Sequence, residues 1–187
     1  MSELFSVQLQ NRQQQGGDGI WLNLPTTTEQ VQAALRQIGI SSDNPQGLFI
    51  SGYFAEEEKR FAIPYNMVMA SSVDELNFLA ARLETLSAGE RAELNAALQA
   101  PQSELSSIGR IIDFPENVDY YVHLPDVRGP AQLGDYYLNR SGMVDMPEEW
   151  KGGIDTAQFG RYVAQQEQGA FTQYGYLVKS GDEWQKV

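Results

Sequence analysis

Apolar and polar residues alternate over Phe5-Ser-Val-Gln-Leu9, the period-two pattern of a strand with one buried face. The Gln- and Gly-rich stretch Gln10–Gly19 predicts a turn or loop. Ile20–Leu24 predicts a second strand, which Pro25 ends. Thr26-Thr-Thr-Glu29 has the spacing of a capping box, in which a hydroxyl and a carboxylate satisfy the first free N–H groups of a helix. Val31, Ala34, Leu35 and Ile38 then recur at i, i+3, i+4, i+7, one face of that helix. Gly39 suits its left-handed stop, and Gly47–Phe54 predicts a third strand. Residues 1–71 thus read as a small α+β unit.

The texture changes at residue 72. Residues 72–108 contain one aromatic, Phe78, and two further capping boxes, Ser72…Glu75 and Ser87…Glu90. Leu76, Leu79, Ala80, Leu83 and Leu86 form one apolar stripe; Leu94, Ala97 and Leu98 form another. Pro101 opens an expected third helix running to about Ile108. A helical-bundle middle domain is expected here.

It changes again at residue 109. Val118–Leu124 and Phe171–Val178 read as strands. Gly129-Pro130 opens a helix carrying Leu133, Tyr136 and Tyr137, closed by Gly142. Asp155 caps another, carrying Phe159, Tyr162 and Val163. Residues 109–187 make a second α+β unit that holds 12 of the 20 aromatics, more than a core of that size requires. The expected fold is therefore α+β, in three domains: 1–71, 72–108 and 109–187.

Charge narrows the function. There are 25 acidic and 13 basic residues, a net charge of −12. Phosphates dominate the electrostatics of nucleic acid, so direct binding to it is disfavoured. Anionic membrane surfaces are disfavoured for the same reason. The long-range attraction left is to basic partners, although acidity can also serve solubility alone. The three segments hold 7, 6 and 12 acids against 4, 2 and 7 bases, so the charge is spread along the chain. The absence of cysteine excludes disulfides, thiolate catalysis and Cys-based metal sites. No run is apolar enough to span a bilayer, and the first residues lack the pattern of a secretion signal; a cytoplasmic protein is expected.

A catalytic constellation is not legible. His123 is the only histidine and sits in an apolar run, where packing is its ordinary role. Gly16–Gly19 lacks the following Lys and the spacing of a phosphate loop. A carboxylate pair could in principle serve a hydrolase, but nothing selects two acids from 25. A non-enzymatic binding protein without metal or other cofactor is expected.

Several phrases carry a family resemblance. Leu133–Trp150 reads LGDYYLNRSGMVDMPEEW, followed by Ile154-Asp155, Phe159-Gly160-Arg161 and Gly169–Tyr176 (GAFTQYGY). Upstream stand Ile20–Pro25 (IWLNLP) and Ser72–Ala80 (SVDELNFLA). In this order, over nearly the whole chain, they resemble the ArdA antirestriction family. The resemblance implies an elongated, very acidic chain of three domains that dimerises through the third and imitates bent duplex DNA. It would occupy the DNA-binding groove of type I restriction–modification enzymes. Genes of this family usually travel on plasmids, transposons and phages.

On that reading the partner-binding acids, standing where phosphate oxygens would, are Glu56, Glu57 and Glu58 in the first segment. Asp74, Glu75, Glu84, Glu90 and Glu93 follow in the second, and Asp126, Asp135, Asp145, Glu148, Glu149 and Asp155 in the third. Glu75, Glu90 and Asp155 could instead serve only as helix caps. The expected homodimer interface comprises Leu133, Tyr136, Tyr137, Met143 and Met146, residues that could equally form the core of their own domain. An acidic adaptor for another basic DNA-binding protein, a nucleoid protein or a CRISPR effector, is the alternative.

Overall fold

The computed structural model describes residues 3–14, 17–41, 45–101 and 103–186. The strands are β1 (Phe5–Asn11), β2 (Ile20–Leu24), β3 (Leu48–Phe54), β4 (Tyr121–Leu124), β5 (Ala170–Thr172) and β6 (Gly175–Lys179). The helices are α1 (Thr28–Gln37), α2 (Tyr65–Ala70), α3 (Val73–Glu84), α4 (Ala88–Gln99), α5 (Ile108–Asp113), α6 (Pro130–Asp135), α7 (Glu148–Lys151) and α8 (Thr156–Glu167). The fold is mixed α+β. It comprises two compact units, one within Met1–Ser87 and Leu105–Pro115, the other within Ala88–Glu104 and Glu116–Lys186.

The first unit is built on an antiparallel sheet of order β2-β1-β3. Phe5 faces Leu24 and Gln8 faces Trp21 across one ladder; Val7 faces Tyr53 across the other, with a bulge between Gln8 and Leu9. Alternation puts Phe5, Val7 and Leu9 into the core with Leu22, Leu24 and Ile50. The cap of α1 lies one residue beyond the expected one: Thr27 accepts from the Gln30 N–H, and the Gln30 side chain reaches back to the cap. Gly39 ends the turn at φ +70°, as its position predicts. Ser72 caps α3 by accepting from the Glu75 N–H. The α3 stripe Leu76, Leu79, Ala80 and Leu83 is fully buried, and α5 packs against this helix. Asn77 fixes the approach of α3. Its Oδ1 accepts the Thr26 N–H at 2.7 Å, and its Nδ2 donates to the Thr26 carbonyl at 3.0 Å.

The second unit carries the sheet β4-β6-β5, also antiparallel. Its core joins Val127, Leu133, Ala164 and Tyr176, with Tyr136, Tyr137, Val163 and Phe171 packed against them. Helices α6 and α8 meet backbone to backbone through two glycines. A Cβ on Gly134 would lie 1.9 Å from the Thr156 carbonyl oxygen, and one on Gly160 would lie 1.8 Å from that of Pro130. No side chain fits at either position. Pro130 begins α6, which continues into a π-turn over Tyr136–Arg140. Asp155 caps α8 by accepting the Gln158 N–H at 2.9 Å. Helix α4 packs on β6 and β4.

Three local expectations are corrected. Residues 103–107 are not helical; the helix there is α5, whose cap is Ser107, accepting the Arg110 N–H. Phe171–Val178 is a hairpin, not one strand. Thr172 Oγ1 accepts the Tyr174 N–H, and Gly175 turns the chain at φ +124°. The start of Val118–Leu124 is a 3₁₀ turn, Val118–Tyr120, before β4. Of the expected loop Gln10–Gly19 and the glycine run within it, residues 15 and 16 lie outside the described residues.

Candidate partner-binding surface

The candidate acids occur in both units, mostly at element ends and in connections. Glu56 precedes a 3₁₀ turn that contains Glu57 and Glu58, and all three are exposed. Asp74 is exposed in the first turn of α3, with Glu75 half-buried beside it. Carboxylates there also complement the helix dipole. Asp126 is exposed between β4 and α6, and Asp145, Glu148, Glu149 and Asp155 are exposed between the π-turn and α8. Asp155 is at once exposed and the α8 cap, so capping does not remove it from the surface.

Several of these charges are met within the chain. Lys59 Nζ lies 3.3 Å from Glu56, Arg140 3.4 Å from Asp135 and Lys151 2.6 Å from Glu148. Such exposed pairs contribute only ~0–1 kcal/mol each, because water screens them. They nonetheless place a cation where a bare phosphate mimic would have none. Glu84 and Glu90 are half-buried and engaged by neighbouring groups. Glu57, Glu58, Asp74, Asp126, Asp145 and Glu149 make no ion pair among the described residues.

Glu93 differs from the rest. Its Oε1 is enclosed without a hydrogen-bond partner among the described residues. Burial first, then the charges of Glu90 and Asp119, push its pKa up to about 8. At neutral pH this carboxyl is largely protonated, so it presents no phosphate-like charge.

The expected interface residues divide as well. Leu133 is fully buried in the core of the second unit, so its contacts there are internal. Tyr136 and Tyr137 are half-buried against that core, their rings edge to face at 5.5 Å. Met146 is half-buried, while Met143 is 74% exposed. The surface also carries Trp150 at 67% and Tyr162 at 60% exposure, which sequence reasoning did not nominate.

Two features of the second unit had no sequence signal. Glu167 accepts hydrogen bonds from the hydroxyls of both Tyr137 and Tyr176, the latter at 2.9 Å. Burial and the neighbouring Glu167 both raise the pKa of these phenols. A carboxylate here holds two tyrosines in place. Lys179 likewise spans from β6 to Glu104 at 2.7 Å. His123 is half-buried, and its Nε2 meets the Tyr174 carbonyl at 2.8 Å, the role of a packed histidine. Among the described residues no cluster of His, Asp and Glu could hold a metal ion, and no helix is long and apolar enough to cross a membrane.

No curated protein matches the chain. The family model described as Antirestriction protein (ArdA) matches residues 17–178, a span running from the end of the first loop to the last strand. It takes in both glycines of the α6–α8 contact, the Asn77 clamp, the Glu167–tyrosine node and the acid-bearing connections, and the chain belongs to the ArdA family of antirestriction proteins.

Proposed function

We propose that this antirestriction protein acts as a DNA mimic, occupying the DNA-binding groove of a type I restriction–modification enzyme. The observation that carries the proposal is the set of exposed carboxylates, in both units of an antirestriction-family chain, that make no ion pair among the described residues. A DNA-binding groove offers Lys and Arg placed for phosphates. Glu57, Glu58, Asp74, Asp126, Asp145 and Glu149 can receive those cations without any base readout. Glu75 and Asp155 join them from helix N-termini, while Glu56, Asp135 and Glu148 compete with their own cations. Counterions released from both surfaces favour association. No covalent bond changes, so the mechanism needs no catalytic group.

Homodimerisation through the third segment belongs to the same reading. Tyr136, Tyr137, Met143 and Met146 supply apolar and aromatic surface of the kind that interfaces use. We retain the division into three segments as the functional one, with acids on each.

The test is cleavage of unmodified DNA by a type I enzyme in the presence of the purified protein. Dose-dependent protection is expected. Undiminished cleavage at large molar excess, across several such enzymes, overturns the proposal.

A further inference from the structure

Glu93, on α4, stands where an ionised carboxylate is least welcome in the second unit. Its enclosed Oε1 has no donor among the described residues. Enclosure removes the water that stabilises a carboxylate anion. Two more carboxylates bear on it, Glu90 from the preceding turn of α4 and Asp119 from the turn leading into β4. Among the described residues, β6 and β4 are the elements that α4 packs against most extensively. Their titratable side chains are committed elsewhere. The Tyr121 hydroxyl accepts the Glu104 N–H, and His123 meets the Tyr174 carbonyl. Tyr176 donates to Glu167, and Lys179 donates to Glu104. Arg91, on α4 itself, is two residues from Glu93, a spacing that does not bring side chains face to face on a helix.

We propose that Glu93 is a protonation latch of the second unit: α4 seats on β4 and β6 with this carboxyl neutral, and its ionisation loosens the helix. The raised pKa of about 8 places the transition in mildly alkaline solution. The folded value lies above the ordinary 4.5, so the folded state holds this proton more tightly than the unfolded chain does. The stabilising contribution is therefore complete below the ordinary value and is lost as pH rises through the folded one. Loosening of α4 follows because the ionised oxygen meets no donor among the described residues and two like charges repel it.

Amide hydrogen exchange on the full chain tests this, with protection factors corrected for base catalysis at about pH 6 and about pH 9.5. Protection of α4 is expected to drop at the higher pH while that of β1–β3 holds. Glu93→Gln keeps the shape and removes the charge, so its α4 protection is expected to be the same at both pH values. Asp119→Asn removes one repelling charge and is expected to move the wild-type transition to lower pH and shrink it. Constant α4 protection in the wild type overturns the proposal, as does an equal loss in Glu93→Gln.

Discussion

A carboxylate can replace a phosphate oxygen only when it is ionised and its charge is not already met. Glu57 and Glu58 are exposed and make no ion pair among the described residues, whereas Glu93 fails the first condition and Glu56 satisfies the second only in part. Lys59 sits 3.3 Å from Glu56 and also donates to the Glu3 carbonyl at 3.1 Å. On the DNA-mimic proposal, that ammonium meets like charge in the groove of the enzyme. Lys59→Gln removes the repulsion and frees Glu56 for the partner. It is expected to tighten binding to the restriction enzyme, by no more than about fivefold because exposed pairs are weak. Titration calorimetry against the enzyme reads this directly. Weaker binding on loss of Lys59 counts against a mimic working by charge at this site. Net charge alone could not make these distinctions. They depend on which cation lies beside which acid, and sequence distance captures that only for close pairs such as Glu148 and Lys151.

The elements rest on glycines more than the sequence pattern suggested. Gly134 and Gly160 occupy helical positions where glycine ordinarily costs stability relative to alanine. They are needed because the backbones of α6 and α8 touch there. Gly160→Ala would drive a methyl into the Pro130 carbonyl and the Gly134 amide, both backbone atoms that cannot rotate aside. It is expected to destabilise the second unit by about 3 kcal/mol, the upper end of ordinary overpacking. Chemical denaturation measures this, with Gly152→Ala as the control, since a Cβ on Gly152 meets nothing. Equal midpoints for the two variants would remove the close-contact argument. Elements with strong periodicity or caps were legible: β1, β2, α1, α3 and α8 lie where alternation, stripes and Asp155 put them. What was not legible depended on tertiary contact. Pro101 promised a helix, yet Leu105 is buried and the chain is not helical there. The run Phe171–Val178 looked continuous because Gln173-Tyr174 carries no strong turn signal, and only Gly175 marks the bend. Leu133 could be read as core or interface, because an apolar stripe looks the same in both roles.

For the whole molecule the decisive quantity is charge density. One chain carries −12, and two copies would carry twice that. Duplex DNA carries about one charge per 1.7 Å of axis, so the charge of two copies equals that of only about 40 Å of duplex, and a longer duplex carries more. Lys59, Arg140 and Lys151, already counted in that net charge, thin the field locally beside Glu56, Asp135 and Glu148. Salt therefore separates mimic from DNA. The logarithm of affinity for DNA falls with the logarithm of salt in proportion to the phosphates neutralised, about 0.9 per contact. A mimic with fewer free carboxylates engages fewer cations of the groove and loses less when salt is added. Dissociation constants of one type I enzyme for unmodified DNA and for this protein, across a salt series, are expected to give a shallower slope for the protein. The protein then becomes the better competitor as salt rises, and inhibition at fixed dose strengthens. A slope as steep as that of DNA would mean that counterion release is not governed by these exposed acids. No slope at all would mean that the contact is apolar, drawing on Met143, Trp150 and Tyr162, and the charge-based reading would fall.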